Sequence, residues 1–532
     1  MKKFYITTPL YYVNGNPHIG HSYTNIACDA LSRFRRLEGD EVLFVTGTDE
    51  HGQKIKEAAE AKGMEPKAFA DSVVPRFIEL WKKLGITYDD FIRTTEKRHE
   101  KVVKDILEML HKKGDLYEGE YSGWYCTPCE NFWTEAQLVE KNCPDCRRPV
   151  EHIKEKNFFF RVSKYQEWLV DHINSHEDFI LPCIRRNEIL SFLKNPLNDL
   201  CVSRPKSRLS WGVAMPFSDE HVTYVWFDAL LNYITVCGYG DDPKKFKKFW
   251  PADVHMIGKD ILRMHAVNWP IMLHAAGIEL PKTIFAHGWW KMGEDKMSKS
   301  KGNIVDPLEM VDKYGVDAYR FFLLKEVQFG MDGSFSETAL VSRLNSDLAN
   351  DLGNLLHRTL SMIEKYFSGL VPRRSKKVDE LTRPMIDKVK TLSDEITKGM
   401  DNINFSQALG AIWQLVNIAN KFIEQKAPWK LSKEKKTDEL KNMMYDLYEV
   451  LRIVSLAIWP FLPTTSEKMS GQLGIEVKKR SMKDLRWGMA KPGTKINKGN
   501  PLFPRIEPLS DKPDTHDLPA PSEAEGSNKD RE

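Results

Sequence analysis

The sequence predicts an α/β fold cut in two by an insertion and followed by an all-helical bundle. Three observations predict it. The first fifty residues read strand, turn, amphipathic helix, strand. Four cysteines then fall in two C-x2-C pairs among short β-like pieces. The last third carries apolar residues at helical spacing.

The first strand is Phe4-Tyr5-Ile6-Thr7-Thr8, and a turn follows at Asn14, Gly15, Asn16 and Pro17. Ile26, Ala30, Leu31 and Phe34 then share one helix face. Glu41-Val42-Leu43-Phe44-Val45 is a buried strand that runs into Thr46-Gly47-Thr48-Asp49-Glu50-His51-Gly52. In parallel α/β sheets ligands bind beyond the carboxyl ends of strands, so His18 to His21 and Asp49 to His51 both stand where a site would form.

Residues 1–116 are read as the first half of this fold, 117–222 as the insertion and 223–331 as the second half. The second half resumes at Val254-His255-Met256-Ile257-Gly258 and Ile284-Phe285-Ala286-His287-Gly288. Residues 332–507 are a linker and helical bundle, with stripes through Phe405, Leu409, Ile412, Val416 and Phe422 and through Met444, Leu447, Leu451 and Val454. Pro460 and Pro463 end the second of these helices. Residues 508–532 are rich in Asp, Glu, Pro and Ser and are expected to be disordered.

A chain of 532 residues suits about three or four domains. With 78 Lys and Arg against 75 Asp and Glu, net charge is only +3, so any surface for nucleic acid must be local. No apolar run reaches the roughly 18 residues of a membrane span, and no signal-like start precedes the first strand. The cysteine array fits a reducing cytosol.

Two separated motifs carry the chemistry. His18-Ile19-Gly20-His21 offers imidazole donors and a bare glycine at a helix start. Lys296-Met297-Ser298-Lys299-Ser300, in a basic loop flanked by glycine, offers ammonium groups and hydroxyls. Together they suit a triphosphate gripped from two sides, hence ATP. Alone, the first reads equally as a metal pair or surface histidines, and the second as a solvated basic turn.

Cys126, Cys129, Cys143 and Cys146 have the two-knuckle spacing of a structural zinc site, the alternative being disulfides. Asp49 and Asp228 are carboxylates that could hold an amino group, or else cap a helix or join a salt bridge. Tyr12, Trp226, Phe227, Tyr233 and His287 form an aromatic set that suits a thioether guest or, more commonly, a core. Asn354 and Arg358 share a helix face, and Trp429 follows a long amphipathic helix. They suit unpaired bases, or a cap and a packed ring.

These motifs in this order resemble the class I methionyl-tRNA synthetase family, over roughly residues 1–507. The match runs through Thr8-Pro9-Leu10-Tyr11-Tyr12-Val13-Asn14-Gly15, the histidine motif, Thr46 to Gly52, Tyr224-Val225-Trp226-Phe227-Asp228-Ala229-Leu230, Ile257-Gly258-Lys259-Asp260 and the lysine motif. The resemblance implies a split Rossmann-type nucleotide-binding fold with a zinc-binding insertion and an anticodon-binding bundle. The implied reaction is ATP-dependent ligation of L-methionine to its tRNA, initiator and elongator, through methionyl-adenylate, with release of AMP and pyrophosphate.

It further implies that His18, His21, Lys296 and Lys299 are catalytic, and that Gly20 and Ser298 join them around ATP. Leu10, Tyr12, Asp49, Trp226, Ala229, Tyr233 and His287 would bind methionine, with Asp49 on the ammonium. Asn354, Arg358 and Trp429 would read a CAU anticodon. One structural zinc and magnesium with ATP are the implied ions. A cytoplasmic monomer is expected, since the sequence after the bundle holds too little apolar residue for an added barrel. A cysteinyl relative would need an open zinc position, which four thiolates do not leave. A retired, RNA-binding synthetase would have lost a histidine or lysine from the ATP motifs, and all are present.

Overall fold

The computed structural model describes residues 2–127, 129, 131–292, 295–296, 305–375 and 379–507. Its strands, in chain order, begin with β1 (Lys3–Thr7), β2 (Tyr11–Tyr12), β3 (Glu41–Asp49) and β4 (Asp90–Arg93). The middle of the chain adds β5 (Leu116–Cys126), β6 (Asn131–Trp133), β7 (Glu151–Phe160), β8 (Ile180–Leu181), β9 (Leu200–Cys201), β10 (Ser203–Pro205) and β11 (His221–Thr223). The resumed α/β part contributes β12 (Val254–Gly258), β13 (Thr283–His287), β14 (Trp290–Met292), β15 (Asp295–Lys296) and β16 (Gly333–Ser334).

The main sheet has seven strands in the order β2-β3-β1-β12-β13-β8, with β4 also paired to β3. Every pair in it is parallel. Such strands are covered on both faces, which explains the near-continuous apolar runs in β1, β12 and β13. The pairing of β1 with β12 spans the insertion and joins the two halves, Ile6 lying opposite Val254.

The insertion builds an antiparallel sheet of order β6-β5-β7-β9. It is not wholly apart from the main sheet. Two residues from within it, Ile180 and Leu181, form β8 and extend the main sheet beside β13.

Helix α1 (Ile19–Glu38) packs against β3 and ends at Gly39, whose φ of 93° only glycine adopts readily. Beyond β16 the described chain is helical, with long helices at Asn354–Phe367, Arg383–Asp401, Phe405–Lys426 and Thr437–Ala457. Their stripe residues are buried as expected. Pro463 does more than stop a helix, since it opens the next one, Pro463–Gln472, at the first-turn position where its missing N–H costs nothing. One continuous core runs from Phe4 and α1 into these helices, so the bundle is welded to the α/β part. Among the described residues no helix is long and apolar enough to cross a membrane.

Candidate active site

The histidine motif forms a reciprocal cap. Helix α1 starts at Ile19, two residues later than a first turn led by Pro17 implies, and His18 is its N-cap. The Gly20 N–H donates to His18 Nδ1 at 3.1 Å, and the His18 N–H donates to His21 Nδ1 at 3.1 Å. The rings stack with centroids 3.8 Å apart. Each Nδ1 is an acceptor, so in the neutral rings the proton sits on Nε2. The cap therefore fixes both tautomers and places two Nε2–H groups at a helix N-terminus, where the dipole already favours an anion. Gly20 makes this possible: a Cβ there would stand 3.0 Å from His18 Cε1.

Beside it, β13 delivers His287 to α1. The His287 Nδ1–H donates to the Gly288 carbonyl at 2.7 Å, so Nε2 accepts from the Thr24 hydroxyl, also at 2.7 Å. Burial lowers the pKa of His287 and keeps it neutral. Its ring lies against Tyr23 at 5.1 Å and Phe329 at 5.6 Å.

A second aromatic group sits where β1 and β12 end. Tyr233, Ala229 and Phe227 are buried, Trp226 and Leu10 half-buried. Sequence reasoning missed His265 here. Its Nδ1–H donates to the Ile261 carbonyl at 3.0 Å, so its Nε2 accepts the Tyr233 hydroxyl at 2.8 Å. Burial pushes its pKa down to about 4. The Trp226 ring meets its edge at 6.2 Å. It sits in a π-helical turn, Met264–Asn268, a feature frequent at functional sites but visible only in the backbone.

Asp49 ends β3 opposite Tyr12 of β2, and it is buried. The residues after it are locked by tertiary bonds. Buried Glu50 accepts from Arg93 Nη2 at 2.9 Å, Thr48 at 2.8 Å and Thr95 at 2.6 Å. His51 Nδ1 meets Asp228 Oδ2 at 2.7 Å, and His99 Nε2 meets Asp228 Oδ1 at 2.8 Å. This corrects one alternative from the sequence. Asp228 is fully buried with both oxygens occupied, so it is a structural bridge rather than an amine-binding carboxylate. Despite burial, its pKa is held at about 2 by the two histidines, His51 first.

Of the lysine motif, Lys296 lies in β15, directly opposite Lys291 of β14. Met297, Ser298, Lys299 and Ser300 lie outside the described residues. The strand that leads to them is tied to α1 through His287 and Thr24, which brings the approach to the second motif beside the first.

The four knuckle cysteines converge, each offering a sulfur within 4.8 Å of the others. All are free thiols, and two of the S–S separations are 3.5 and 3.8 Å. The Cys129 thiol donates to Cys126 and lowers its pKa to about 5, while burial raises Cys143 to about 11. Four converging thiols fit a tetrahedral dication held by four sulfurs.

In the bundle Asn354 is exposed at the start of its helix, and Arg358 pairs with Glu424 at 2.8 Å. Glu424 lies near the end of the helix that leads to Trp429, whose ring is half-exposed.

Comparison with known proteins gives this geometry its family. The model for class I tRNA synthetases of the methionine type matches residues 4–152 and 148–360, and the anticodon-binding domain of methionyl tRNA ligase matches 371–512. The chain belongs to the class I methionyl-tRNA synthetase family. Methionine–tRNA ligase of Caldanaerobacter subterraneus subsp. tengcongensis is 53% identical over 508 residues, 95% of this chain and 79% of the relative. That of Clostridium tetani is 49% identical over 515 residues, also 95% and 79%. Mycobacterium tuberculosis methionyl-tRNA synthetase in complex with methionyl-adenylate superposes with a TM-score of 0.92 at 42% identity, covering 95% of this chain and all of that one. The apo form of the same enzyme gives 0.85 at 38% identity, covering 96% of this chain and 99% of that one. As a methionyl-tRNA synthetase family member the chain is an enzyme, a class I aminoacyl-tRNA ligase.

Proposed function

We propose that this chain activates L-methionine with ATP and transfers it from methionyl-adenylate to a tRNA with a CAU anticodon, initiator and elongator alike. The observation that carries the reading is the reciprocal cap of His18 and His21. It supports two fixed Nε2–H donors for the ATP phosphates, held before the substrate arrives and therefore without reorganisation at the moment of reaction.

The chemistry asks for no covalent nucleophile. The methionine carboxylate attacks the α-phosphorus and pyrophosphate leaves. Charge grows on the phosphate oxygens, where His18, His21, Lys296 and Lys299 stabilise it and Ser298 donates a hydroxyl. Gly20 lets adenine approach the backbone. Asp49 holds the methionine ammonium, and Leu10, Tyr12, Trp226, Ala229, Tyr233 and His287 enclose the side chain. His265 belongs with them, because it orients the Tyr233 hydroxyl. Magnesium enters as the counterion of the ATP phosphates, a part of the substrate.

In the second step the adenylate passes its methionyl group to the terminal adenosine of the tRNA, while Asn354, Arg358 and Trp429 read the anticodon. Cys126, Cys129, Cys143 and Cys146 hold one zinc that shapes the insertion and has no part in the chemistry. Thiols kept reduced for zinc favour the cytoplasm. The enzyme acts as a monomer in this reading.

ATP–pyrophosphate exchange with each amino acid in turn is the test. Methionine alone should drive it strongly. Exchange driven equally well by cysteine, or by no amino acid, would defeat the reading.

A further inference from the structure

Three positively charged or donor groups converge on one carboxylate beside the nucleotide site. Lys259 Nζ lies 2.7 Å from both oxygens of Asp332, Lys291 Nζ lies 3.1 Å from Oδ2, and the Trp289 N–H donates to Oδ1 at 3.0 Å. The Lys259 ammonium also stands 4.1 Å over the Trp289 ring. These donors hold the pKa of Asp332 at about 2 even though the side chain is partly buried.

The position is the informative part. Lys259 is the first residue past β12, at the carboxyl end where nucleotides bind in such sheets. Lys291 lies on β14, whose antiparallel partner β15 carries Lys296. Asp332 therefore ties a strand end to the hairpin that bears the lysine motif. The backbone is built for this approach. A Cβ on Gly288 would fall 2.3 Å from the Met331 carbonyl and 2.6 Å from the Asp332 nitrogen, so only glycine just past β13 lets the Asp332 segment come this close. The Gly333 N–H to the Trp289 carbonyl at 2.8 Å and the Phe335 N–H to the Lys291 carbonyl at 2.7 Å then fix the segment.

A site for a triphosphate gathers several lysines, and before the nucleotide arrives their mutual repulsion must be offset. A carboxylate that accepts from an ammonium through both oxygens resembles a phosphate doing the same. We propose that Lys259 is a further phosphate-binding residue and that Asp332 is its positioning residue, holding the ammonium in the place of a phosphate until ATP takes it over. This rests on the nucleotide site assigned above to His18, His21 and Lys299.

The test uses ATP–pyrophosphate exchange and thermal unfolding on the full chain. Lys259→Met should raise the ATP KM about tenfold or more, the worth of one charge-assisted hydrogen bond, and leave the methionine KM within about twofold. Asp332→Asn should lower both the ATP KM and kcat, since the competing charge goes and the ammonium loses its guide. The double variant Lys259→Met/Asp332→Asn should recover the thermal stability lost in Lys259→Met but not its ATP affinity. Recovery of both would make Lys259 a structural ion-pair partner and overturn the proposal, as would an unchanged ATP KM in Lys259→Met. Lys299→Ala is the control. If it leaves exchange intact, the nucleotide site itself is wrong; if it impairs exchange while Lys259→Met does not, only the present proposal falls.

Discussion

Arg320 and Asp29 meet at 2.7 Å in the interior, both fully buried, and their contact ties the second half of the α/β fold to the first. Asp29 lies on α1, the helix capped by His18. The Arg320 guanidinium also donates to the carbonyls of Leu84 at 3.2 Å, Phe461 at 2.8 Å and Pro460 at 3.2 Å. Asp29 Oδ2 accepts from Arg33 as well, and its Oδ1 accepts from the Thr87 N–H and hydroxyl. Arg320 and Asp29 are thus each bonded several times, and Arg320 fixes the turn after the Thr437–Ala457 helix, and with it the bundle, against α1.

Arg320→Met should destabilise the protein by about 3–5 kcal/mol, because it leaves a buried carboxylate short of a partner and several carbonyls without donors. Arg320→Lys should recover little of this, since one ammonium cannot span the acceptors that the planar fork reaches. Thermal unfolding of the two variants checks both statements. Near-native stability in Arg320→Lys would show that charge, not the fork, holds the junction.

Trp429→Ala should weaken tRNA charging while sparing the first step. Stacking on one base is worth about 1–3 kcal/mol, so the KM for tRNA should rise roughly ten- to a hundredfold. Pyrophosphate exchange should stay within about twofold, because the half-exposed ring supports little of the core. An equal loss in both assays would place the defect in folding.

The sequence made the sheet and the helical stripes legible because both are written in short-range periodicity. Strand β1 and the stripe from Phe405 to Phe422 needed only neighbours a few residues apart. What it hid were bonds between distant positions. Asp228 reads as a carboxylate near a strand end, and nothing local reveals that His51 and His99 reach it from 177 and 129 residues away. His265 was passed over for the same reason, its partner Tyr233 lying 32 residues earlier. Strand β8 is two residues long, too short for any periodicity, and it becomes a strand only through β13. The histidine motif was found, but its geometry was not. A side chain acting as its own helix cap is a property of the backbone at His18, where φ is −137°.

Removing the metal should unfold the knuckle alone. Its apolar cluster is small, with Cys126, Trp133 and Cys143 buried and Trp124, Leu138 and Val150 packed on them. So few residues cannot hold a fold without a cross-link. The intact protein should contain about one zinc per chain, and Cys126→Ser/Cys143→Ser should contain almost none, with loss of the near-ultraviolet dichroism of Trp124 and Trp133. The main sheet lies in a separate core and should keep its far-ultraviolet signal. Retention of zinc by the double variant would rule out a four-thiolate site.

The pH dependence of stability should be set in part by His265. In the fold its pKa is about 4, against 6.5 for a free imidazole, because burial excludes the charged form. The unfolded chain therefore binds a proton that the folded chain refuses. Its contribution is fully present above pH 6.5 and is lost as the pH falls toward 4, at about 1.4 kcal/mol per unit, reaching roughly 3 kcal/mol. His255 and His287 are buried with pKa values also lowered by burial, so they act in the same direction. His265→Gln keeps an acceptor for the Tyr233 hydroxyl and a donor for the Ile261 carbonyl, yet cannot take up a proton. Urea unfolding between pH 7.5 and 5 should show a shallower loss of stability in this variant than in the parent. Methionine affinity should follow the same rule, because a proton on Nε2 would turn the acceptor of the Tyr233 hydroxyl into a donor and force that hydroxyl to rotate. If the variant loses stability with acid as steeply as the parent, the imidazole is not the group that resists protonation.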